Sequence, residues 1–255
     1  MARFSDTSNP KLTVMIDEKK ADDIIAVVKK TIKQGAEAFC ILTEGLNPEE
    51  KGKETIKRIV DSVDGRGVYL TNYIRRNSQP ELTDNQLAEQ LLEMVECGAD
   101  LIDVRGDMFC RSTDEFTQDF YAVEKQKELI SEIHKLGAEV LMSTHIFEYR
   151  TPDKILEIAK SQQMRGADIA KIVTTVNSEK ELEDAFKTNL ILRDNLNIPF
   201  LFLCNGSYCR KHRMLGPFLG SCMYLCLENS KTCGPQPTIE EAKLLREKIL
   251  LMGEK

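Results

Sequence analysis

The sequence predicts an α/β protein, a single (β/α)₈ barrel domain over residues 1–255. Two patterns support this prediction. A helical stretch that ends at Gly-Ala just before an apolar run recurs four times, and about eight short apolar runs alternate with amphipathic stretches along the chain. This alternation indicates a parallel sheet covered by helices, and a chain of 255 residues with 42% apolar content has the length of one such barrel.

The four junctions share a glycine followed by alanine, at Gly35, Gly98, Gly137 and Gly166. Glycine adopts the left-handed backbone conformation that ends many helices, and a short turn then leads into a buried strand. The other predicted strands are 12–16, 67–73, 200–204 and 222–227. An open doubly wound sheet is the alternative, but it would usually carry a glycine-rich phosphate loop after its first strand, and DEKKADD has none.

Composition narrows the class of partner to a small molecule. The formal net charge of -6 argues against a nucleic acid or an anionic membrane as partner. No run approaches the roughly 18 apolar residues that span a bilayer, and the polar N-terminus does not resemble a secretion signal, so we expect a cytoplasmic protein.

Eight cysteines are present, and five of them lie between positions 204 and 233. Disulfide frameworks are typical of short secreted chains, so reduced thiols are expected here. The five lack the CxxC spacing of zinc and cluster sites, which favours small apolar strand residues over metal ligands.

Lys171 is the first candidate for catalysis, because it lies inside the apolar strand IAKIVT and is the one lysine expected within a predicted strand. A charged amine there is costly unless it is paired or functional. An amine held in an apolar barrel shifts toward the neutral form, which attacks a carbonyl to give an imine. The alternative is a lysine whose amine reaches outward from the strand end.

His145 ends the preceding strand, EVLMSTHI, one βα unit before Lys171. Adjacent strands of a parallel barrel end at the same rim, so the two side chains are expected side by side. Histidine titrates near neutral pH and can move a proton to and from carbon beside an imine. A structural role for His145 is the alternative.

The segment CNGSYCRKHRMLG is predicted to be a basic loop after the seventh strand. Arg213 in this segment is a candidate for holding a carboxylate through two parallel hydrogen bonds, although a solvated basic loop is the alternative. After the eighth strand, Thr232 and Gln236 are predicted to reach the same face as further substrate contacts.

Together these segments resemble the type I 3-dehydroquinate dehydratases, the class I Schiff-base lyases of the shikimate pathway. The resemblance covers nearly the whole chain and rests on four motifs: MSTHIFEYRTP, GADIAKIVT, IPFLFLCNG followed by HRMLGPFLGS, and TCGPQ. It implies a (β/α)₈ barrel, frequently a homodimer, that uses no metal or organic cofactor.

By this resemblance, Lys171 forms an imine with the substrate ketone. His145 abstracts a proton from the adjacent carbon and helps to expel water. Arg213 binds the substrate carboxylate, with help from Gln236 and from Thr232, where the family commonly has serine.

Several substrate-binding positions of the family differ here. Cys40 and Leu42 replace a Glu-x-Arg pair at the second strand, Tyr73 replaces an arginine on the third, and Arg105 replaces an acidic residue at the fourth. Arg75 or Arg76 is a candidate substitute for the lost arginine.

Three functions stay open from the sequence. The first is a divergent 3-dehydroquinate dehydratase, in which Tyr73 and Arg105 contribute to substrate binding. The second is a Schiff-base lyase for another small keto or hydroxy acid. The third is a barrel that binds a carboxylate without catalysis.

Overall fold

The computed structural model describes Phe4 and residues 10–73, 82–229 and 234–253. Within these ranges the strands are β1 Lys11–Ile16, β2 Ala38–Leu42, β3 Gly67–Thr71, β4 Leu101–Arg105, β5 Glu139–His145, β6 Ile169–Thr175, β7 Phe200–Asn205 and β8 Met223–Cys226. The helices are α1 Ala21–Gln34, α2 Lys53–Asp61, α3 Asp84–Glu96, α4 Phe120–Lys135, α5 Pro152–Met164, α6 Glu179–Asn195, α7 Cys209–Leu215 and α8 Ile239–Gly253.

The strands form one parallel sheet in the order β7-β6-β5-β4-β3-β2-β1-β8. From β1 to β7 each strand therefore pairs with its neighbours in sequence, and β8 pairs with β1, with Leu12 opposite Tyr224. The seam between β7 and β8 is closed by a parallel bridge between Phe200 and Ser221. This closure confirms the predicted (β/α)₈ barrel.

The predicted helix ends are confirmed at the four Gly-Ala junctions. Gly35, Gly98, Gly137 and Gly166 have φ values of 103°, 102°, 94° and 96°, all in the left-handed region. At Gly35 the backbone N–H bonds the carbonyl groups of Ile32 and Thr31, which satisfies the end of α1. The glycines therefore set where each helix stops and the next strand begins.

Side chains along β6 alternate between two environments. Ile169 and Val173 pack inside the barrel, whereas Ala170 and Ile172 pack outward against the helices. Lys171 lies between Ile169 and Val173 and is buried on the same inward face. Successive side chains of a strand point to opposite faces, and this alternation, rather than any local motif, directs the lysine side chain into the barrel.

Phe4 packs inside the barrel near its N-terminal face. Its backbone N–H donates to Glu139 at the start of β5, and its ring centroid lies 6.5 Å from that of Tyr69. A Cβ at Gly67 would come within 2.9 Å of the Phe4 ring, so only glycine fits there without a shift. Phe4 therefore packs against Tyr69 on the side that faces the N-terminal end of the barrel.

Three details differ from the sequence predictions. β1 begins at Lys11, so Lys171 is not the only strand lysine, but Lys11 lies at the N-terminal end of its strand. The predicted basic loop contains the helix α7, because residues 209–215 close a helical turn over the end of β7. His212, expected in that loop, is buried and lies 2.8 Å from the amide oxygen of Asn189.

Burial lowers the pKa of His212 to about 3, so this histidine is neutral.

None of the helices in the described ranges is both long and apolar enough to cross a membrane.

We predict that Gly137→Ala lowers the free energy of unfolding by about 1–2 kcal/mol, the cost of a left-handed conformation for a residue with a Cβ. No atom lies within 4 Å of the added Cβ, so the effect is one of backbone strain alone. The control is Gly52→Ala, where φ is -71° and the Cβ also meets nothing. Gly52 is the N-cap of α2, where alanine is less favourable than glycine, so a smaller loss of roughly 0.5 kcal/mol is expected. Equal urea midpoints for the two variants would contradict the prediction.

Candidate active site

A cavity of about 540 Å³ opens among the strand ends. Six of the seven residues predicted to form the site line it: Lys171, His145, Arg213, Gln236, Tyr73 and Arg105. They come from β4, β5, β6 and the segments after β3, β7 and β8, which places the cavity at the C-terminal face of the barrel. Thr232, Arg75 and Arg76 lie outside the described residues.

Lys171 and Asp103 form a buried ion pair, with the lysine amine 3.1 Å from Asp103 Oδ2. The side chains are 8% and 1% exposed. The amine also donates to the hydroxyl oxygens of Tyr69, at 3.1 Å, and Tyr73, at 2.8 Å. All three N–H groups of an ammonium thus have acceptors, which compensates for the cost of burying the charge.

Asp103 receives further hydrogen bonds from the hydroxyl groups of Tyr69, Tyr73 and Ser143. Burial alone would raise its pKa, but the Lys171 charge and these three donors outweigh burial and lower it. Burial and the neighbouring Asp103 raise the pKa of both tyrosines well above the ordinary value. Asp103 is therefore a carboxylate, and Tyr69 and Tyr73 are neutral phenols.

The strand register brings this cluster together. Ser143 on β5 is paired with Lys171 on β6 and with Arg105 on β4. His145 lies two residues beyond Ser143, so it occupies the same inward face of β5 at the rim. The lysine therefore lies one layer deeper than the histidine.

His145 is oriented by Glu115, whose Oε2 lies 2.7 Å from the histidine Nδ1. Burial raises the pKa of Glu115, but the hydrogen bond and charge of His145 and the charge of Arg105 outweigh it and lower the pKa. The edge of the Tyr73 ring packs against the imidazole, with the ring centroids 5.3 Å apart. With Nδ1 held by a carboxylate, Nε2 is the nitrogen left to exchange a proton.

Arg213 is buried at 6% exposure. Its Nε donates to the Cys204 carbonyl at 2.7 Å, and its Nη2 donates to the Asn205 side-chain oxygen at 2.9 Å. No carboxylate among the described residues pairs with it, and burial lowers its pKa to about 10. A buried guanidinium with neutral partners in a cavity wall is a binding group for an anion.

Gln236 and Arg105 also line the cavity. The buried side-chain oxygen of Gln236 has no hydrogen-bond partner among the described residues, and its amide nitrogen lies 3.8 Å from the sulfur of Met15. Arg105 holds Asp107 with two nitrogens, Nε at 3.0 Å and Nη2 at 2.7 Å from Oδ1. The Arg105 guanidinium is thus held by an aspartate two positions further along the chain, just after β4.

Part of the cavity wall is apolar. It is formed by Met15, Cys40, Leu42, Val173, Leu203 and Leu225. The polar residues Thr71, Ser112 and Asn205 also line the cavity. The charged groups that line it are thus those of Lys171, Glu115, Arg105 and Arg213 among the described residues.

Four further residues belong to this site and were not predicted from the sequence: Asp103, Glu115, Tyr69 and Ser143. Asp103 was visible as the acid that precedes Arg105 in DVRGD, but nothing in the sequence linked it to a lysine 68 positions away. Glu115 lies between β4 and α4 with φ of 49°, and no sequence signal marks it. Strand register brings Tyr69, Asp103 and Ser143 to Lys171, and the path of the chain after β4 brings Glu115 to His145.

Two of the five late cysteines, Cys204 and Cys226, lie in the strands β7 and β8, as predicted. Cys222 directly precedes β8, and all three are buried, whereas Cys209 begins the helix α7 and is partly exposed. Burial raises the pKa of Cys222 and Cys226 to about 12. Within the described ranges no group of three potential metal ligands occurs, and Cys233 lies outside them.

Fold and site together define a (β/α)₈ barrel enzyme with a buried lysine in an open cavity. The sequence profile described as Type I 3-dehydroquinase matches residues 13–248. The chain therefore belongs to the type I 3-dehydroquinase family, whose members are carbon–oxygen lyases.

Curated relatives carry the name 3-dehydroquinate dehydratase. That of Methanosarcina barkeri is 25% identical over 246 residues, which cover 90% of this chain and 95% of the relative. That of Alkaliphilus oremlandii is 29% identical over 127 residues, 49% of each protein.

Solved structures of such enzymes share the barrel. The type I enzyme of Clostridium difficile superposes with a TM-score of 0.82 at 17% identity, over 96% of this chain and 94% of that one. The 3-dehydroquinate dehydratase of Geobacillus kaustophilus gives 0.82 at 14% identity, over 97% and 93%. These likenesses establish the fold.

We predict that Glu115→Gln flattens the loss of stability in acid. A carboxyl group whose folded pKa is lowered stabilises the fold above its unfolded pKa, and the stabilisation is lost as pH falls through the folded pKa. The wild-type free energy of unfolding should therefore fall more steeply than that of the variant as pH drops below the ordinary value of 4.5.

The measurement is urea unfolding between pH 7 and pH 3. Glu148→Gln is the control, because the Glu148 side chain is 76% exposed. In this variant the free energy of unfolding should fall with pH as steeply as in the wild type. Parallel pH profiles for wild type and Glu115→Gln would refute the role assigned to the Glu115–His145 pair.

Proposed function

We propose that this chain dehydrates 3-dehydroquinate to 3-dehydroshikimate and water through an imine on Lys171. The observation that carries the proposal is the buried Lys171 amine, which lines the cavity and bonds Tyr73 and Asp103. The names of the curated relatives support the substrate. This activity belongs to the shikimate pathway, which leads to aromatic amino acids.

In the proposed reaction, the Lys171 amine attacks the ketone carbon and water leaves, which gives a protonated imine. The positive nitrogen withdraws electrons, so the C–H bond on the neighbouring carbon becomes acidic. His145, held through Nδ1 by Glu115, removes that proton and leaves an enamine.

Return of electrons from the enamine expels the hydroxyl group on the next carbon. His145 then gives its proton to this hydroxyl, which departs as water on the face from which the proton was taken. Hydrolysis of the conjugated imine releases 3-dehydroshikimate and restores the lysine.

Arg213 is proposed to bind the substrate carboxylate. Its guanidinium is buried against neutral partners, so a carboxylate would supply the negative charge that the site lacks. Gln236 is proposed to assist from the same wall, because its amide has only a weak contact to the Met15 sulfur. Thr232 stays a predicted contact.

Tyr73 and Arg105 were predicted to replace substrate contacts of the family. Tyr73 lines the cavity but bonds Lys171, whereas Arg105 bonds Asp107. We infer that Tyr73 acts chiefly beside Lys171 and that Arg105 chiefly holds Asp107.

We infer further that the reaction needs no cofactor, since the amine, the base and the anion-binding group all come from this chain. Assembly as a homodimer and location in the cytoplasm stay predictions from the resemblance and from the sequence. Binding of a small carboxylate follows from Arg213.

We predict that borohydride, added with 3-dehydroquinate, traps an irreversible adduct on Lys171, which peptide mass mapping would locate. Lys171→Met should give no adduct, because the thioether cannot form an imine. The control is Lys11→Met, which removes the other strand lysine at the N-terminal end of β1 and should keep the adduct. An untrapped wild-type protein, or trapping that persists in Lys171→Met, would overturn the proposed function.

We predict that Arg213→Gln raises the substrate concentration at half-maximal rate by about ten- to a hundredfold, the value of one charge-assisted hydrogen bond. Steady-state kinetics would give KM and kcat. Lys211→Gln removes an exposed positive charge from the same helix and should leave KM within about twofold, since exposed charges are well screened. An unchanged KM in Arg213→Gln would show that another group binds the carboxylate.

A further inference from the structure

The hydroxyl group of Tyr73 links the Lys171 cluster to the cavity. Three side chains in the described ranges accept hydrogen bonds from the lysine amine: Tyr69, Tyr73 and Asp103. Of these, Tyr73 is the one that also lines the cavity, whereas Tyr69 is 0% exposed and Asp103 is buried beneath it. Tyr73 is thus the only member of this trio in contact with both the buried carboxylate and the space for substrate.

This position matters because imine formation requires protons to move between the lysine and the ketone oxygen. An ammonium cannot attack a carbonyl, so Lys171 must first lose a proton, and Asp103 lies 3.1 Å away as its acceptor. The oxygen that later leaves as water must gain protons. That oxygen is on the substrate in the cavity, which Asp103 does not line.

We propose that Tyr73 is a catalytic residue, whose hydroxyl carries protons between the Lys171–Asp103 pair and the substrate oxygen during imine formation. The inference rests on the proposed function and deepens it. It assigns Tyr73 to the lysine chemistry instead of the substrate-binding role of the arginine that it replaces.

Imine formation begins when Lys171 gives one proton to Asp103. The free amine then attacks the ketone carbon, so that an N–C bond forms and the carbonyl π electrons move to oxygen. Tyr73 protonates that oxygen and takes a proton back from the nitrogen, which leaves a neutral carbinolamine.

Tyr73 then protonates the carbinolamine hydroxyl, the C–O bond breaks, and the nitrogen lone pair forms the C=N bond. Water leaves, and Asp103 returns its proton to Tyr73. The sum is ammonium plus ketone to protonated imine plus water, with Tyr73 and Asp103 unchanged.

The surroundings of Tyr73 suit this role. Its hydroxyl donates to Asp103 and lies 2.9 Å from the hydroxyl of Ser143. The Tyr73 hydroxyl is therefore in contact with groups that can accept its proton or return one to it. Burial and Asp103 raise its pKa, which keeps the phenol protonated between turnovers. His145 is engaged through Nδ1 with Glu115 and serves the later carbon chemistry.

The test measures oxygen exchange, which depends on imine formation and hydrolysis but not on breaking a C–H bond. The enzyme is incubated with 3-dehydroshikimate in ¹⁸O-labelled water, and mass spectrometry follows label entering the ketone. Tyr73→Phe should slow exchange by about 10²- to 10⁴-fold, the usual contribution of a general acid–base group, with KM within about threefold.

Tyr69→Phe is the matched control. It removes a hydroxyl that also bonds Lys171 and Asp103 but does not line the cavity, and it should slow exchange by less than tenfold. A Tyr73→Phe rate within threefold of wild type, or equal losses in the two variants, would overturn the proposal. A rise in KM at unchanged maximal exchange would assign Tyr73 to substrate binding instead and would also overturn it.

A second measurement covers the case in which Tyr73→Phe does not fold. Replacing Tyr73 with a fluorinated tyrosine keeps the ring and the hydroxyl but makes the phenol more acidic, so the exchange rate and its pH profile should shift. An unchanged profile would contradict proton transfer by Tyr73. If wild-type protein shows no exchange at all, the proposed function itself fails, which separates the two claims.

Discussion

A lysine ammonium buried beside an aspartate carboxylate requires satisfied hydrogen bonds on both sides, and in this barrel that requirement ties four strands together. Tyr69 comes from β3, Asp103 from β4, Ser143 from β5 and Lys171 from β6. Removing one partner of such a pair typically costs about 3–5 kcal/mol, because the other charge is left buried and uncompensated. The cluster is therefore both a structural constraint on the barrel and the source of its chemistry.

The rest of the barrel keeps this cluster in place. Phe4 fills the interior beneath Tyr69, and Gly67 leaves room for its ring. One layer above, Glu115 holds His145, whose ring packs against Tyr73. In the proposed function, the deep layer supplies the amine and its proton acceptor, and the rim layer supplies the base.

The cavity combines this polar side with an apolar wall that includes Cys40 and Leu42. Neither of these two side chains offers a charge to a ligand. In the proposed reaction, orientation of the substrate depends on the covalent bond to Lys171 and on the anion site at Arg213. A covalent anchor tolerates fewer polar contacts, because it fixes the reacting carbon independently of them.

The sequence by itself determined the barrel, since the Gly-Ala helix ends and the alternating apolar runs are local signals of φ and of burial. It also singled out Lys171, His145 and Arg213 as candidates, because charged or titratable groups in apolar strands or basic segments are visible as departures from the local pattern. Tertiary structure alone decided that Asp103, Tyr69, Glu115 and Ser143 belong to the site and that Arg105 bonds Asp107. The contacts within the lysine cluster depend on strand register across the sheet, where Lys171 bonds a tyrosine 102 positions away, and no local pattern records that register.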